Sequence, residues 1–243
     1  MKTPFSVKKP ATIKNNFAAE LPDIWRSWQN FIVGKNRTPA LEFFHFNLEK
    51  NLLELQSDIE SGCYRHGGYQ KFVIYDKKRR EIRVASVRDR VVHRLLYDFL
   101  VKLYDRTFIF DLWSCRKSKG VTAAIERTQE FLRRNPRAYV WRADIKKFFD
   151  NIDHRILMSI LQRKVKDQKL LQLLLEVIGR DRGRIGQLLS KGISIGNLTS
   201  QIFANIYLND FDYFVKHELK VKYYLRYGDD FIIIAPDAEV LNR

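Results

Sequence analysis

Tyr227-Gly228-Asp229-Asp230 places two adjacent carboxylates behind a glycine, between Leu225-Arg226 and the apolar run Phe231 to Ile234. Carboxylates are hard oxygen donors, the ligand type that divalent cations such as magnesium prefer. Neighbouring residues on a regular strand point to opposite faces, so a turn is needed to bring two adjacent acids to one locus. Gly228 permits such a bend, and the β-branched and aromatic residues after it read as a buried strand. A hairpin would hold both acids at its tip. For an isolated Gly-Asp-Asp triplet a solvated surface turn is the default reading, and a metal site requires a third acid upstream.

Asp144 meets that requirement. Tyr139-Val140-Trp141-Arg142-Ala143-Asp144-Ile145 has strand composition and delivers an acid at the strand's end, followed by Lys146-Lys147-Phe148-Phe149-Asp150. Asp150 is either a supporting or a solvated residue. Asp153 reads as the N-cap of a helix carrying Ile156, Leu157, Ile160, Leu161 and Val165. Lys191 to Gln201 forms a loop whose Gly192 and Gly196 allow close backbone approach to a ligand. It opens what reads as one long helix through Ile202, Ile206, Phe211 and Val215.

The elements that must position these residues follow from periodicity. The first twenty residues are polar and irregular, and structure is expected from about Leu21. Thr38-Pro39 reads as N-cap and first position of one helix carrying Leu41, Phe44, Leu48, Leu52, Leu55 and Ile59, ending at Ser61-Gly62. Tyr69 to Ile74 and Glu81 to Val84 form a hairpin with the basic tip Asp76-Lys77-Lys78-Arg79-Arg80, and a helix follows from about 89 to 104. Ser114 to Gly120 is a second basic loop. Val121 to Arg134 is a helix ended by Asn135-Pro136, another helix spans about 168 to 178, and Gly179 to Gly186 is a Gly/Arg-rich connection. Between Lys71 and Arg94 nine basic residues face three acids. Such a run is either a solvated face or a grip for a polyanion.

The chain has 243 residues, 45% hydrophobic and 13% aromatic, enough for a sizeable core in one domain or two lobes. Its 44 Lys and Arg against 28 Asp and Glu give a formal charge of +16, which favours nucleic acid as partner. No apolar run reaches the length of a membrane span, and the N-terminus lacks a signal-peptide core, so the expected location is the cytoplasm. Cys63 and Cys115 lack disulfide or zinc spacing. The five histidines are scattered, and His154 after Asp153 reads as helix-start context. No nucleophile-histidine-acid arrangement supports covalent catalysis.

The order of an acid-ending strand, a glycine loop entering a helix and a carboxylate hairpin resembles the palm of a template-directed polymerase. ADIKKFFDNIDH, RYGDDF and RREIRVASVRDRVVH resemble the first catalytic motif, the YxDD box and the fingers motif of reverse transcriptases of the group II intron and retroelement superfamily. The resemblance runs from about Thr38 to Pro236. It implies an α+β fold of right-hand fingers and palm, with an antiparallel palm sheet backed by helices and no thumb. The implied division is an N-terminal extension at 1–37, fingers at 38–138 with the basic hairpin at about 69–84, and an incomplete palm at 139–243. The implied cofactors are two Mg2+ ions, with Mn2+ as substitute. Asp144, Asp229, Asp230 and the backbone carbonyl of Ile145 would hold them. Such ions lower the pKa of a primer 3′-hydroxyl and stabilise the leaving pyrophosphate. Phe149 falls where the family places the aromatic ring that collides with a ribose 2′-hydroxyl. Arg80 and Lys71 align with triphosphate contacts. Ile195, Gly196, Ser200 and Gln201 fall in the nucleotide-facing loop, and Arg83, Arg88, Arg90, Arg116, Lys117 and Lys119 are candidates for nucleic-acid contact.

IGNLTSQ (Ile195 to Gln201) stands where most of the superfamily carries a QGxxxSP-like loop, and it resembles the version in diversity-generating retroelements. Those enzymes copy a template-repeat RNA with errors at adenines. The implied partners are an RNA template, a DNA or RNA primer, dNTPs and a basic accessory variability protein, in a bacterial or phage-encoded system. The family continues past the YxDD hairpin into further palm motifs and a thumb, so weak processive synthesis is the expectation for this chain. A viral RNA-dependent RNA polymerase shares the Gly-Asp-Asp hairpin, but Phe149 and IGNLTSQ favour DNA synthesis. A non-catalytic nucleic-acid-binding fragment is the reading from a different class.

Overall fold

The structure, a computed structural model, describes residue 17 and residues 19–75, 79–179 and 191–241, with backbone alone at 79–81 and 240. Most of the expected N-terminal arm, the tip at 76–78 and most of the connection at 179–186 lie outside the described residues.

A helical body surrounds the largest core. Helix α1 (Leu21–Ile32) buries Ile24, Trp28 and Phe31 and packs along α4 (Val87–Tyr104). The long helix expected after Thr38 is two helices, α2 (Pro39–Phe46) and α3 (Leu48–Glu60). Thr38 caps the first as expected, accepting the Leu41 amide proton at 3.3 Å. The break falls at Asn47, whose backbone leaves the helical region at φ −107° and ψ 33°. Asparagine tolerates such turns, and Asn51 seals this one by donating to the Phe44 carbonyl at 2.9 Å. Helices α7 (His154–Lys164), α8 (Gln168–Gly179) and α9 (Leu198–Tyr207) complete the body. Leu52, Leu96, Leu100, Leu161, Leu174 and Phe203 share its dry centre. Asp153 caps α7 by accepting the Arg155 and Ile156 amides.

The helix expected to run from the glycine loop through Val215 ends at Tyr207. Helix α10 (Asn209–Tyr213) and a wide turn at Phe214–Glu218 with π-helical hydrogen bonding follow. Leu208, at φ −90° and ψ 2°, makes the break. It reorients the segment so that Asp212 is fully buried beneath the sheet.

That sheet has three antiparallel strands in the order β3 (Tyr139–Asp144), β5 (Asp230–Ala235), β4 (Tyr223–Tyr227). Its two faces follow the period of two. Leu225 and Ile234 pack with Phe131 of α5 (Val121–Arg134), whereas Tyr224, Phe231 and Ile233 pack with Val215 on the other side. A separate hairpin pairs β1 (Gln70–Tyr75) with β2 (Arg79–Val84). Short helices α6 (Phe148–Asn151) and α11 (Ala238–Leu241) follow β3 and β5. The whole is the mixed helix-and-sheet fingers and palm that the motifs imply. Among the described residues no helix is long and apolar enough to cross a membrane.

Candidate active site

The register places the acids. Asp144, the last residue of β3, lies directly opposite Asp230, the first of β5, and Asp230 also faces Tyr227 of β4. Gly228 and Asp229 form the two-residue loop between β4 and β5. Gly228 sits at φ +66°, in the left-handed region that a tight hairpin asks of glycine. Asp229 is half-buried. Burial pushes its carboxyl above the ordinary carboxylate range, and the Asp144 and Asp230 charges push it the same way, with Asp144 within hydrogen-bonding reach.

The two hairpin acids have different neighbours. Asp229 turns to Asp144, while Asp230 accepts a hydrogen bond from Arg142 at 3.2 Å. Among the described residues no three His, Cys, Asp or Glu side chains converge into a ready cation cage. The donor set nevertheless fits a divalent ion. Asp229 sits where burial and the charges of Asp144 and Asp230 disfavour its ionised form, which is the strain a bound cation relieves. The Arg142–Asp230 contact is exposed, and exposed ion pairs contribute about 0–1 kcal/mol, so Asp230 is weakly held.

The glycine loop lies against the basic hairpin. Gly196 has φ +107°, and a Cβ built there would stand 3.4 Å from Ile82 Cγ2 and 3.7 Å from the Arg83 carbonyl. Ile195 beside it is 46% exposed, so its side chain faces the open side of the loop. Thr199 and Ser200 are buried, and exposed Gln201 accepts from the Cys115 thiol at 3.2 Å.

Thr199 ends a buried relay absent from the sequence reading. His66 Nδ1 is 2.7 Å from the Gly67 carbonyl, an acceptor only, so that nitrogen carries the proton. His66 Nε2 then accepts from His93 Nε2 at 2.9 Å, and His93 Nδ1 accepts from the Thr199 hydroxyl at 2.8 Å. The tautomers are assigned from these partners. Tyr69 OH, 3.3 Å from His66 Nε2, and the Asp89 carboxylate, 4.0 Å from His66 Nδ1, flank the pair. Burial, then His66, pushes the His93 pKa down to about 3 from the ordinary 6.5, with Asp89 opposing and Arg90 assisting. Because the folded pKa lies below the unfolded one, the stability His93 contributes is complete above pH 6.5 and is lost as the pH falls toward 3. One proton corresponds to about 1.4 kcal/mol per pH unit, roughly 3–5 °C in Tm for a chain of this size. The expected result is a Tm that falls between pH 6 and 4 more steeply for the wild type than for His93→Gln. Parallel slopes in a thermal-unfolding series would contradict the relay.

The remaining expected residues divide. Phe148 is buried in the core, whereas Phe149 is half-buried with an edge-to-face contact to it at 5.4 Å. Of the two rings, Phe149 is thus the one with an accessible face. The Ile145 carbonyl accepts the Phe148 amide at 3.1 Å and keeps a second lone pair. Lys71 is exposed on β1 opposite half-buried Arg83, and the side chain of Arg80 lies outside the described residues. Arg88 is engaged by Asp58 and lies over the Tyr64 ring. Arg116 is held by Asp105 at 2.7 Å and by the Ile109 carbonyl at 2.9 Å. Lys119 bonds the Phe110 carbonyl and covers the Phe110 and Trp113 rings. Arg90 stacks over Phe31 at 5.2 Å, and Lys117 is exposed. In this group Arg88, Arg116 and Lys119 brace the protein's own loops.

Sequence reasoning also missed Arg226 and Asp212. Both are fully buried and form a two-point ion pair under the carboxylate hairpin. The only signal was an arginine in phase with Tyr224 on a strand otherwise apolar on that face.

Comparison with known proteins agrees with this architecture. The profile of the family described as "Reverse transcriptase (RNA-dependent DNA polymerase)" matches residues 70–243. Protein YkfC of Escherichia coli is 27% identical over 171 residues, covering 68% of this chain and 45% of that protein. The group II intron-encoded protein LtrA of Lactococcus lactis subsp. cremoris is 26% identical over 186 residues, covering 72% of this chain and 30% of that protein. The chain thus spans less than half the length of these curated relatives. Among solved structures, telomerase from Candida albicans superposes with a TM-score of 0.51 at 14% identity, covering 74% of this chain and 39% of that one, a likeness of fold.

Proposed function

This chain belongs to the reverse transcriptase family, and from that premise we propose that it extends a primer on an RNA template with deoxynucleotides, at a centre built from Asp144, Asp229 and Asp230. The observation that carries the reading is the gathering of three acids at one end of the sheet: the β3–β5 register sets Asp144 opposite Asp230, and half-buried Asp229 beside them, repelled by both their charges, calls for a cation. Divalent ions, Mg2+ or Mn2+, supply there the activation of the 3′-hydroxyl and the stabilisation of the leaving pyrophosphate. The protein's own part is to hold the acids. The β3–β5 pairing fixes Asp144 beside the hairpin, and the weak Arg142 contact lets Asp230 join the pair. Lys71, Arg80 and Arg83 of the basic hairpin, which the Gly196 contact brings against the glycine loop, serve the triphosphate and the template.

Phe149 stands as the gate against a ribose 2′-hydroxyl. Its accessible ring and the burial of Phe148 beside it support that role. Phe149→Val is expected to raise ribonucleotide incorporation roughly 10- to 100-fold, as removal of a steric clash worth about 1–3 kcal/mol would. Equal discrimination by the variant in paired dNTP and NTP kinetics would remove the gate from the proposal.

Within the family we assign the chain to the diversity-generating retroelement type, copying a template-repeat RNA with errors at adenines alongside a basic accessory protein. The support is IGNLTSQ and the exposure of Ile195, an aliphatic side chain where an amide would otherwise be able to hydrogen-bond a nucleotide. Ile195→Gln is expected to lower misincorporation opposite template adenine several-fold. An unchanged error spectrum on an RNA template would place the cause of infidelity elsewhere. Primer extension on RNA with dNTPs against NTPs tests the broader reading.

A further inference from the structure

The geometry points to Arg226 as a positioning residue for the carboxylate hairpin, one that uses Asp212 to neutralise its own charge and the Gly228 carbonyl to aim Asp229. The inference rests on the polymerase reading for its meaning and on the contacts of one guanidinium for its argument.

Arg226 and Tyr224 share the face of β4 that looks into the protein, and Arg226 has no solvent exposure. Its Nε donates to Asp212 Oδ1 at 2.7 Å, its Nη2 to Asp212 Oδ2 at 2.5 Å, and its Nη1 to the Gly228 carbonyl at 2.7 Å. Tyr224 OH adds a bond to Asp212 at 2.6 Å. Asn205 of α9 lies 3.4 Å from Nη1 and is itself tied to Ser114, by its amide to the Ser114 carbonyl at 3.0 Å and by the Ser114 hydroxyl at 3.1 Å. The arginine backbone is pinned as well, its amide to the Asp111 carbonyl at 3.0 Å and its carbonyl to the Trp113 amide at 2.9 Å. The guanidinium therefore cannot drift, and whatever it holds is held from a fixed point.

What it holds is the peptide between Gly228 and Asp229. That unit is planar, so fixing its carbonyl fixes its N–H, which is the amide of Asp229. The same plane contains the Asp229 Cα, from which the carboxylate extends. One rigid plane thus links the buried arginine to the reacting acid.

A buried ion pair is weak evidence for stability, because desolvation offsets attraction and apolar replacements are often neutral. The pair makes sense through what an apolar side chain lacks, a donor for the Gly228 carbonyl. Only a planar fork can engage both oxygens of Asp212 and still reach that carbonyl. A lysine keeps the charge but not the fork. The acid partner matters equally, since it lets the arginine sit behind a metal-binding hairpin without presenting a net cation to it.

Arg226→Lys in the full chain is the test. The expected result is a Tm near the wild type's and a kcat for single dNTP addition lower by about 100-fold, the scale of loss that a misplacement of about 1 Å brings. The KM for dNTP should stay within about threefold. Mn2+ binding followed by electron paramagnetic resonance should weaken by about 10-fold, as loss of a ligand-orienting partner does. Wild-type kcat and Mn2+ affinity in a folded Arg226→Lys chain would overturn the proposal. Should that variant not fold, Arg226→Met with Asp212→Leu replaces the pair by apolar volume, and the same two losses are expected; wild-type values, or failure of both chains to fold, would make the pair a stability element and overturn it too. If the wild type adds no nucleotide, the polymerase reading fails, and the Mn2+ comparison still judges the hairpin.

Discussion

Asp144→Asn is expected to lower the rate of single-nucleotide addition by on the order of 10³-fold, about 4 kcal/mol of lost transition-state stabilisation, without lowering the unfolding temperature. The separation of the two effects is the informative part. Asp144 is exposed and raises the proton affinity of Asp229, so its charge opposes the folded state rather than supporting it. Removing that charge relieves repulsion, and the folded chain should keep or gain stability while losing chemistry, the pattern of a functional rather than a structural acid. Asp229→Asn should behave alike. Asp230→Asn should lose less, because Asp230, although opposite Asp144 in the strand register, is already engaged by Arg142 in an exposed contact. Single-turnover kinetics paired with thermal unfolding checks all three. A variant at 144 that unfolds early, or one that adds nucleotides at the wild-type rate, would contradict the site.

Asp89→Ala carries the largest expected effect on stability. Asp89 is 1% exposed and accepts hydrogen bonds from Tyr64 OH at 2.7 Å, Ser86 OH at 2.6 Å and the Gly67 amide at 3.1 Å. The Ser86 hydroxyl in turn accepts the Asp89 amide at 3.1 Å, closing the first turn of α4. Burial and the Asp89 charge together raise the Tyr64 pKa, so that hydroxyl stays a donor throughout the physiological range. Loss of the carboxylate would orphan the buried Tyr64 hydroxyl and take the acceptor from two less buried donors, the Gly67 amide and the Ser86 hydroxyl. About 1–3 kcal/mol attaches to the buried hydroxyl and less to the two donors that water can reach, for a total of roughly 2–4 kcal/mol and a Tm lower by about 8 °C. Gly67 belongs to the same knot. A Cβ there would stand 2.8 Å from Asp89 Oδ2, so Gly67→Ala should also destabilise, by pushing on the carboxylate rather than deleting it. Calorimetry on the two variants would settle this, and a drop of under 2 °C for Asp89→Ala would contradict it.

The parts legible in the sequence were those whose cause is local. Helix α5 and the capped start of α7 follow from neighbouring residues, and their limits at Val121–Arg134 and after Asp153 agree with the periodic pattern. Strand β3, with Asp144 at its end, and the β4–β5 hairpin were legible for the same reason, since alternation and one glycine specify them. The two helices read as too long share one physical cause. Apolar spacing continues through Asn47 and Leu208, so the pattern cannot register a single residue that leaves the helical region. At Leu208 the reason is tertiary, because the break is what lets Asp212 reach Arg226.

The site was legible in its chemistry and hidden in its supports. Asp144, Asp229 and Asp230 could be grouped by motif order, but the placing of Asp230 opposite Asp144 and within reach of Arg142 depends on register. His66 and His93 looked scattered because 27 residues separate them in the chain, and only the fold makes them one hydrogen-bonded unit with Thr199. Arg88 and Arg116 looked free for nucleic acid because their partners, Asp58 and Asp105, are remote in sequence or sit across a loop. A basic residue shows its charge in the sequence but not the acid that claims it.

The most direct test of the account is addition of one nucleotide to a primer annealed to RNA, in Mg2+, with the complementary dNTP and NTP supplied separately. The account predicts that the dNTP is added, that the NTP is strongly disfavoured, and that Asp229→Asn slows the reaction by on the order of 10³-fold. Absence of dNTP addition in both Mg2+ and Mn2+, or equal use of the ribonucleotide, would contradict it.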